Sequence, residues 1–473
     1  MTTTTRGKRG ERRRLALEAC IVTLALAGPA APLEGQAQAP DSVTLTLDGA
    51  LNLARGTNPT YRQAVNSAGL NGTETRTTWF SQVLPQAQLN LFNTQFTGNL
   101  TRQGFDNFGN PIENPISDWK YFSQTDQSLD LTWSIQGSSI FNALDRQRLT
   151  NLDRDIAETR ALTDLEVTVR RAYWDALEQR ELMRAEGELV EARRVDHEVA
   201  QRLFSLAMRT RVDVLNAELG IEQQALALRQ QQAAFEKAKL ALRTRLGDED
   251  LGPFRLGEES LPEFDPGTLD GDALVARALS VNPELRQAEV AVQSARVGLK
   301  ESKRAWWPTL ILNFQLARRA RTDQGEALFD VSFNEALDQQ FYIGLRVPMF
   351  NNFFENQQDI HRSSVDFTNR TEAERDTRLR VEESVRSAVL ELSNQYESLR
   401  LAERSAEIAQ EALRLAREEY RIGTRTFEDL RQAIDSEATT RRQLIQGRYA
   451  FVDALLSLEE AVGARVTPAG VER

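Results

Sequence analysis

The chain has 473 residues, 41% of them hydrophobic, a formal net charge of -11 and a single cysteine. Its acidity leaves nothing to neutralise phosphates, which excludes nucleic acid as a partner, and one cysteine excludes a disulfide framework. The two histidines, His197 and His361, lie far apart, and no glycine-rich phosphate loop, metal-ligand spacing or nucleophile elbow accompanies them; no catalytic, metal or cofactor site is therefore predicted.

Taken in chain order, residues 1–39 read as a secretory signal peptide. Arg6, Lys8, Arg9, Arg12, Arg13 and Arg14 precede an apolar run from Leu15 to Gly28, and small residues follow through Ala39. Cys20 falls inside that run, so the exported chain is expected to have no thiol chemistry. Without the leader's six basic and three acidic residues the formal charge becomes -14. No later stretch of about 18 apolar residues appears, so the exported chain is either soluble or a β-barrel.

A helix is predicted from Leu47 to Leu84. Pro85 then opens a strand in which Ala87, Leu89 and Leu91 alternate with Gln86, Gln88 and Asn90, and a second strand alternates Leu129, Leu131, Trp133 and Ile135 with Ser128, Asp130, Thr132 and Ser134. No proline occurs between Pro115 and Pro253, and that block is rich in residues that lose least on entering a helix. Within it Leu162, Leu165, Val169, Ala172 and Ala176 step by three and four, the seam of a coiled coil. A long helix from Asn142 to Ala207 breaks at Ala207-Met208-Arg209-Thr210 and returns from Val212 to Gly247. Residues 248–268 read as a linker whose acidic run, Asp248-Glu249-Asp250, is a solvated loop.

The same order then recurs. A helix is predicted from Asp270 to Trp306, a strand after Pro308 with Leu310, Leu312, Phe314 and Leu316 on one face, and a strand with Phe341, Ile343, Leu345 and Val347 on one face. A second block without proline runs between Pro348 and Pro468, with the weaker series Val381, Val385, Ala388 and Leu392. It gives a long helix from Phe354 to Ile422, a break at Gly423-Thr424-Arg425-Thr426, a return from Phe427 to Gly463, and a tail over 466–473. Trp306 and Trp307, at a helix-to-strand junction, suit either a membrane interface or packing at the base of the strands.

The recurrence is residue by residue. Asn58-Pro59 and Asn282-Pro283 precede matching Arg-Gln-Ala triplets, and Ala172, Phe204, Ala207, Arg209, Thr210, Asp213, Ala217 and Gly247 have partners at a constant offset in Ala388, Tyr420, Gly423, Arg425, Thr426, Asp429, Ala433 and Gly463. We read a duplication, with repeats at 40–247 and 269–465. Each long helix spans roughly 100 Å at 1.5 Å per residue. The return helices are about half as long, and the helix of 270–306 is expected to stack on the first return helix, with that of 47–84 completing the second. Four strands with one apolar and one polar face suit either hairpins over a soluble core or a share of a membrane barrel with a wet lumen. Rods of this length leave no compact core, and four strands cannot close alone, which favours a barrel shared by three chains with twelve strands.

Over residues 41 to 465 the sequence resembles the TolC-like outer-membrane efflux proteins. The resemblance rests on Tyr420-Arg421-Ile422-Gly423-Thr424-Arg425-Thr426 with Asp429-Leu430, on their counterpart from Phe204 to Asp213, and on the duplication and strands. It implies an α+β membrane protein: long coiled-coil α-hairpins forming an α-barrel, and four strands per protomer of a trimeric twelve-stranded β-barrel. It implies a homotrimer embedded in outer-membrane lipid, docked on a periplasmic adaptor and an inner-membrane transporter, passing substrates without chemistry. By motif position Asp213, Tyr420 and Arg425 correspond to a network that shuts the periplasmic entrance, and Asp429 to an acidic ring in the lumen, with Gln432 where a second acidic residue would stand. Leu206, Ala207, Arg209, Thr210, Ile422, Gly423, Thr424 and Thr426 correspond, more loosely, to the adaptor-facing tips. From the residues alone, Asp213, Arg425 and Asp429 read as ordinary solvated charges near helix ends, and Gly423 is explained by a turn; it is the resemblance that favours the gate. The rival class is a non-channel periplasmic coiled-coil adaptor or scaffold, which would carry one hairpin and not two.

Overall fold

The computed structural model describes residues 43–106, 108–136, 139–262, 265–322, 337–347, 349, 353–467 and 470–471. The predicted leader, with Cys20, lies outside them. In order these residues form β1 (Val43–Leu45), α1 (Leu47–Thr57), α2 (Pro59–Ala68), α3 (Asn71–Val83), β2 (Gln86–Phe105), β3 (Pro111–Gln136), α4 (Ser139–Ser205) and α5 (Arg211–Leu246). Then follow β4 (Phe254–Leu256), a 3-10 turn at Pro266–Thr268, α6 (Gly271–Val281), α7 (Pro283–Arg304), β5 (Thr309–Thr322) and β6 (Asp338–Arg346). The last elements are α8 (Phe353–Ile422), α9 (Phe427–Val462), β7 (Val466–Thr467) and β8 (Gly470–Val471), so the expected tail carries a short antiparallel pair.

The two long helices and their returns follow the sequence reading closely. The α4 seam is buried at Leu165, Val169 and Ala176, and that of α8 at Val381, Val385 and Leu392. The predicted single helices at 47–84 and 270–306 are corrected: each is broken at Asn-Pro. The Asn58 side chain accepts from the amides of Thr60 and Tyr61, and the Asn282 side chain from those of Glu284 and Leu285. Proline at the first helical position cannot donate to the preceding turn, so a new helix begins there.

The same two asparagines correct the stacking of the rods. Asn58 Nδ2 donates to the Arg245 carbonyl at 2.8 Å and Thr57 Oγ1 to the Leu246 carbonyl at 2.7 Å, so α2 abuts the end of α5. Asn282 Nδ2 donates to the Ala461 carbonyl at 3.0 Å, so α7 abuts the end of α9. Each short helix thus completes the return helix of its own half, the reverse of the expected exchange. Both joints close on a left-handed glycine, Gly247 (φ 72°) and Gly463 (φ 77°). A Cβ on Gly247 would lie 2.7 Å from Pro59 Cδ and 2.8 Å from Asn58 Cα, so only glycine fits.

The strands run longer than predicted, and β2-β3-β5-β6 form one antiparallel sheet. Across all four strands one face is apolar: Leu89 lies opposite Leu129, Leu131 opposite Phe314, and Leu310 opposite Leu345. Leu89, Phe341 and Leu345 on that face are exposed. The other face is polar and cross-bonded: Asn90 donates to Ser128 and Asp130, Gln315 to Asp130, and Asn313 to Thr132. The alternation predicted for β2 ends at Leu91, because a bulge sets Leu91 and Phe92 between Asn90 (opposite Ser128) and Asn93 (opposite Asp126) and shifts every later residue to the other face. Trp306 packs edge-on against Phe353, while Trp307 is half exposed.

Parallel pairing of β1 with β4 was not foreseen, since three-residue strands carry no readable period. It closes a core in which Leu45, Leu51, Tyr173, Leu177, Leu246 and Leu256 are buried, with Tyr173 Oη donating to the Leu45 carbonyl. Among the described residues no helix is long and apolar enough to cross a membrane, which says nothing of the sheet.

Candidate functional site at the hairpin tips

Both tips are built by the same local chemistry. At the end of α4 the amides of Ala207 and Met208 donate back to the carbonyls of Phe204 and Leu203, both at 2.9 Å, with Ala207 at φ 57°. At the end of α8 the amides of Gly423 and Thr424 donate to Tyr420 and Glu419 at 3.1 and 3.0 Å, with Gly423 at φ 91°. These are paired Schellman closures. Each return helix then opens with a capping box. Thr210 Oγ1 accepts from the Asp213 amide and the Asp213 carboxylate accepts from the Thr210 amide; Thr426 and Asp429 do the same. The Thr-x-x-Asp spacing was present in the sequence and was the signal for both boxes.

The sequence-predicted residues divide accordingly. Asp213 is half-buried and bonded within its own tip, at 3.1 Å from the Thr210 amide. Asp429 is exposed and accepts from Thr426 Oγ1 at 2.6 Å; that bond and the Thr426 amide hold its carboxyl below the usual carboxylate range. Arg425 pairs with Glu419 at 3.0 Å, on its own hairpin. Tyr420 is buried, its ring edge-on to Phe427 and its hydroxyl without a partner among the described residues. Burial pushes its phenol up, the Arg209 guanidinium opposes that, and the Asp213 carboxylate adds to it. Within one chain Asp213 is therefore near Tyr420 without bonding to it, and it makes no ion pair with Arg425. Leu206, Ala207, Thr210, Ile422, Gly423, Thr424 and Thr426 are exposed.

The side chain that crosses between the tips is Arg209. Its Nη2 donates to the carbonyls of Tyr420 and Arg425 at 3.0 and 2.7 Å, and its guanidinium carbon stands 4.3 Å over the Tyr420 ring. Above the tips the hairpins are held by side chains that sequence reasoning did not single out. Arg417 of α8 meets the buried Asp196 of α4 through two bonds, at 3.2 and 3.1 Å. Arg442 of α9 and Gln224 of α5 both donate to the buried Glu186 of α4, and Arg170 of α4 to the buried Glu459 of α9. No spacing marks these charges out in helices that carry a charge at every turn. Among the described residues no group of three or more histidine, cysteine, aspartate or glutamate side chains is arranged to hold a metal ion.

Two long hairpins on a four-stranded sheet with capped tips find relatives among known proteins. Residues 274–464 match the outer membrane efflux protein family. Over that part of its length the chain is similar to the outer membrane efflux proteins, the family that TolC represents. Outer membrane protein TolC of Salmonella enteritidis is 23% identical over 194 residues, which are 41% of this chain and 39% of that relative, so the match spans about two fifths of the relative's length. The fold is shared with a membrane protein from Pseudomonas aeruginosa, at a TM-score of 0.69 and 18% identity over 88% of this chain and 93% of that one. It is shared equally with the Campylobacter jejuni CmeC outer membrane channel, at 0.68 and 15% over 93% of each. The family that the chain resembles is one of outer membrane efflux proteins, a transport family and not an enzyme family.

Proposed function

We propose that three copies of the chain form an outer-membrane channel-tunnel of a tripartite efflux or type I secretion system. Substrates would pass from a periplasmic adaptor and inner-membrane transporter to the exterior through a twelve-stranded barrel set in outer-membrane lipid. The halves at 40–247 and 269–465 each contribute two strands and one hairpin.

The observation that carries this reading is a pair of matching, uncovered apolar stripes. On α5 Val212, Leu219, Leu226, Ala233 and Leu240 recur every seventh residue and are exposed. On α8 Ile422, Leu415, Ile408 and Leu401 do the same in the opposite chain direction. Counted upward from the tips the two series keep step, Val212 level with Ile422 and Leu226 level with Ile408. A neighbouring copy that set its α8 against this α5 would bury both as a coiled coil. The sheet agrees: among the described residues β2 and β6 each have one unpaired edge, a feature that closure into a barrel removes.

Cross-linking of the detergent-extracted protein is expected to stop at three chains, and Leu219→Asp with Ile408→Asp to leave monomers. A soluble monomer with no membrane association would return the reading to a periplasmic scaffold. Within the channel reading, Asp213, Tyr420 and Arg425 belong to the closing network and Asp429 to a lumen ring, with the exposed tip residues facing the adaptor. Arg425→Ser with Tyr420→Phe is then expected to raise single-channel conductance in planar bilayers with the trimer intact. Unchanged conductance would assign closure to apolar packing of the hairpins.

A further inference from the structure

The side chain that hydrogen-bonds from one tip of the chain to the other belongs to a residue that the motif resemblance does not place in the closing network. We propose that Arg209 is a positioning residue that clamps the second hairpin tip to the first, so that the two tips of each protomer move as one body. The inference rests on the channel reading only for its consequence at the entrance; the clamp itself is a property of the single chain.

Three features carry it. First, Arg209 reaches the carbonyl end of α8, a helix of 70 residues whose last carbonyls have no intrahelical donors. A cation there meets the second lone pair of the Tyr420 carbonyl, which already accepts from the Gly423 amide, and the negative end of the helix dipole. Second, one guanidinium nitrogen bridges two carbonyls that bracket the turn, Tyr420 before it and Arg425 after it. The bridge holds the turn closed as well as tying it to the neighbouring tip. Third, the guanidinium carbon stands over the ring of Tyr420, which is 1% exposed and also meets Phe427 edge-on. The ring and its own carbonyl are held by the same cation. Arg425, the positional counterpart of Arg209, bonds to Glu419 on its own hairpin and does not return the contact. Over the shared apolar cluster of Leu203, Val214, Tyr420 and Leu430, the described hydrogen bonds between the tips therefore run in one direction only.

The test places spin labels at the exposed positions 206 and 422 of the full-length protein in detergent and measures the distance distribution by pulsed electron resonance. With Arg209 present a single narrow distribution is expected. Arg209→Ala should add a longer-distance population, the splayed fraction rising about tenfold or more, as befits loss of two charge-assisted hydrogen bonds. Arg209→Lys keeps the charge but lacks the planar fork, and should fall between the two. Arg425→Ala, which removes a pair within one hairpin, should leave the distribution unchanged. An unaltered distribution in Arg209→Ala, or equal broadening in Arg425→Ala, overturns the clamp. Conductance of the same Arg209→Ala protein separates the two readings. Splaying with raised conductance supports both, whereas splaying at unchanged conductance supports the clamp and rejects closure of the entrance by the tips.

Discussion

The two hairpin tips share backbone closure, capping box and the Arg-Thr-x-x-Asp spacing, yet their side chains do different work. On the first tip Phe204 is 41% exposed; on the second its counterpart Tyr420 is 1% exposed, under Arg209 and beside Phe427. Arg209 leaves its own hairpin, while Arg425 stays on its own. Local motifs set the shape of a turn, but the neighbour it faces decides what its side chains do. A repeated sequence placed against unequal surroundings does not yield equal contacts.

The largest expected effect breaks the comparison at the aromatic pair. Tyr420→Ala empties a filled site and should cost about 3–5 kcal/mol, whereas Phe204→Ala should cost about 1 kcal/mol or less. Denaturant unfolding of the detergent-extracted protein measures both, and equal losses would mean that the asymmetry arises outside the single chain. Next comes the pair above the tips. Arg417→Ala leaves the Asp196 carboxylate buried without its partner and should cost about 2 kcal/mol, less than a fully buried pair because the arginine side chain is 39% exposed. Replacing both, Arg417→Met with Asp196→Leu, should recover most of that loss, since an apolar pair carries no desolvation cost.

Two smaller effects sharpen what the tips have in common. Thr210→Ala and Thr426→Ala each remove a cap and should each cost about 1 kcal/mol, with amide exchange at the start of α5 and α9 rising by similar factors. Unequal losses would show that the boxes are coupled to the contacts across the tips. The smallest concerns the left-handed residue. Ala207 occupies a conformation that costs a side-chain-bearing residue about 1 kcal/mol or more, partly offset in Ala207→Gly by about 0.5–1 kcal/mol of added chain entropy. Thermal unfolding should therefore show a gain of a few tenths of a kcal/mol in Ala207→Gly, and a loss of about 1 kcal/mol in Gly423→Ala.

Much of this was legible in the sequence because it is local. Blocks free of proline set the hairpins, Gly423 and the small Ala207 marked the turns, and alternation marked the strand centres. The Asn-Pro pairs are visible as repeats, and the same pairs also end one helix and start another, a break that the continuous helical composition on either side masks. Which rod each short helix completes was not readable, since two equal glycine ends offer the same fit and only the Asn58 and Asn282 amides record the choice. Strand ends escaped because the bulge at Leu91 and Phe92 reverses the period. Arg209 and Arg425 are the same residue type at equivalent positions, so nothing along the chain distinguishes the one that crosses.

The joints at Gly247 and Gly463 have a mechanical consequence. α5 and α9 are both 36 residues long, so the joints stand at one height, about 54 Å above the tips at 1.5 Å per residue, and there two of the four rods lose covalent continuity while α4 and α8 pass through unbroken. Torsion introduced at the tips reaches the sheet through the unbroken pair. At the joints it is taken up by a few hydrogen bonds and a steric contact between proline and glycine, which slip where a continuous helix would have to unwind. Each protomer is in this sense two stiff shafts beside two spliced ones, with a torsional coupling at that level that lets the lower segment twist while the strands above keep their register.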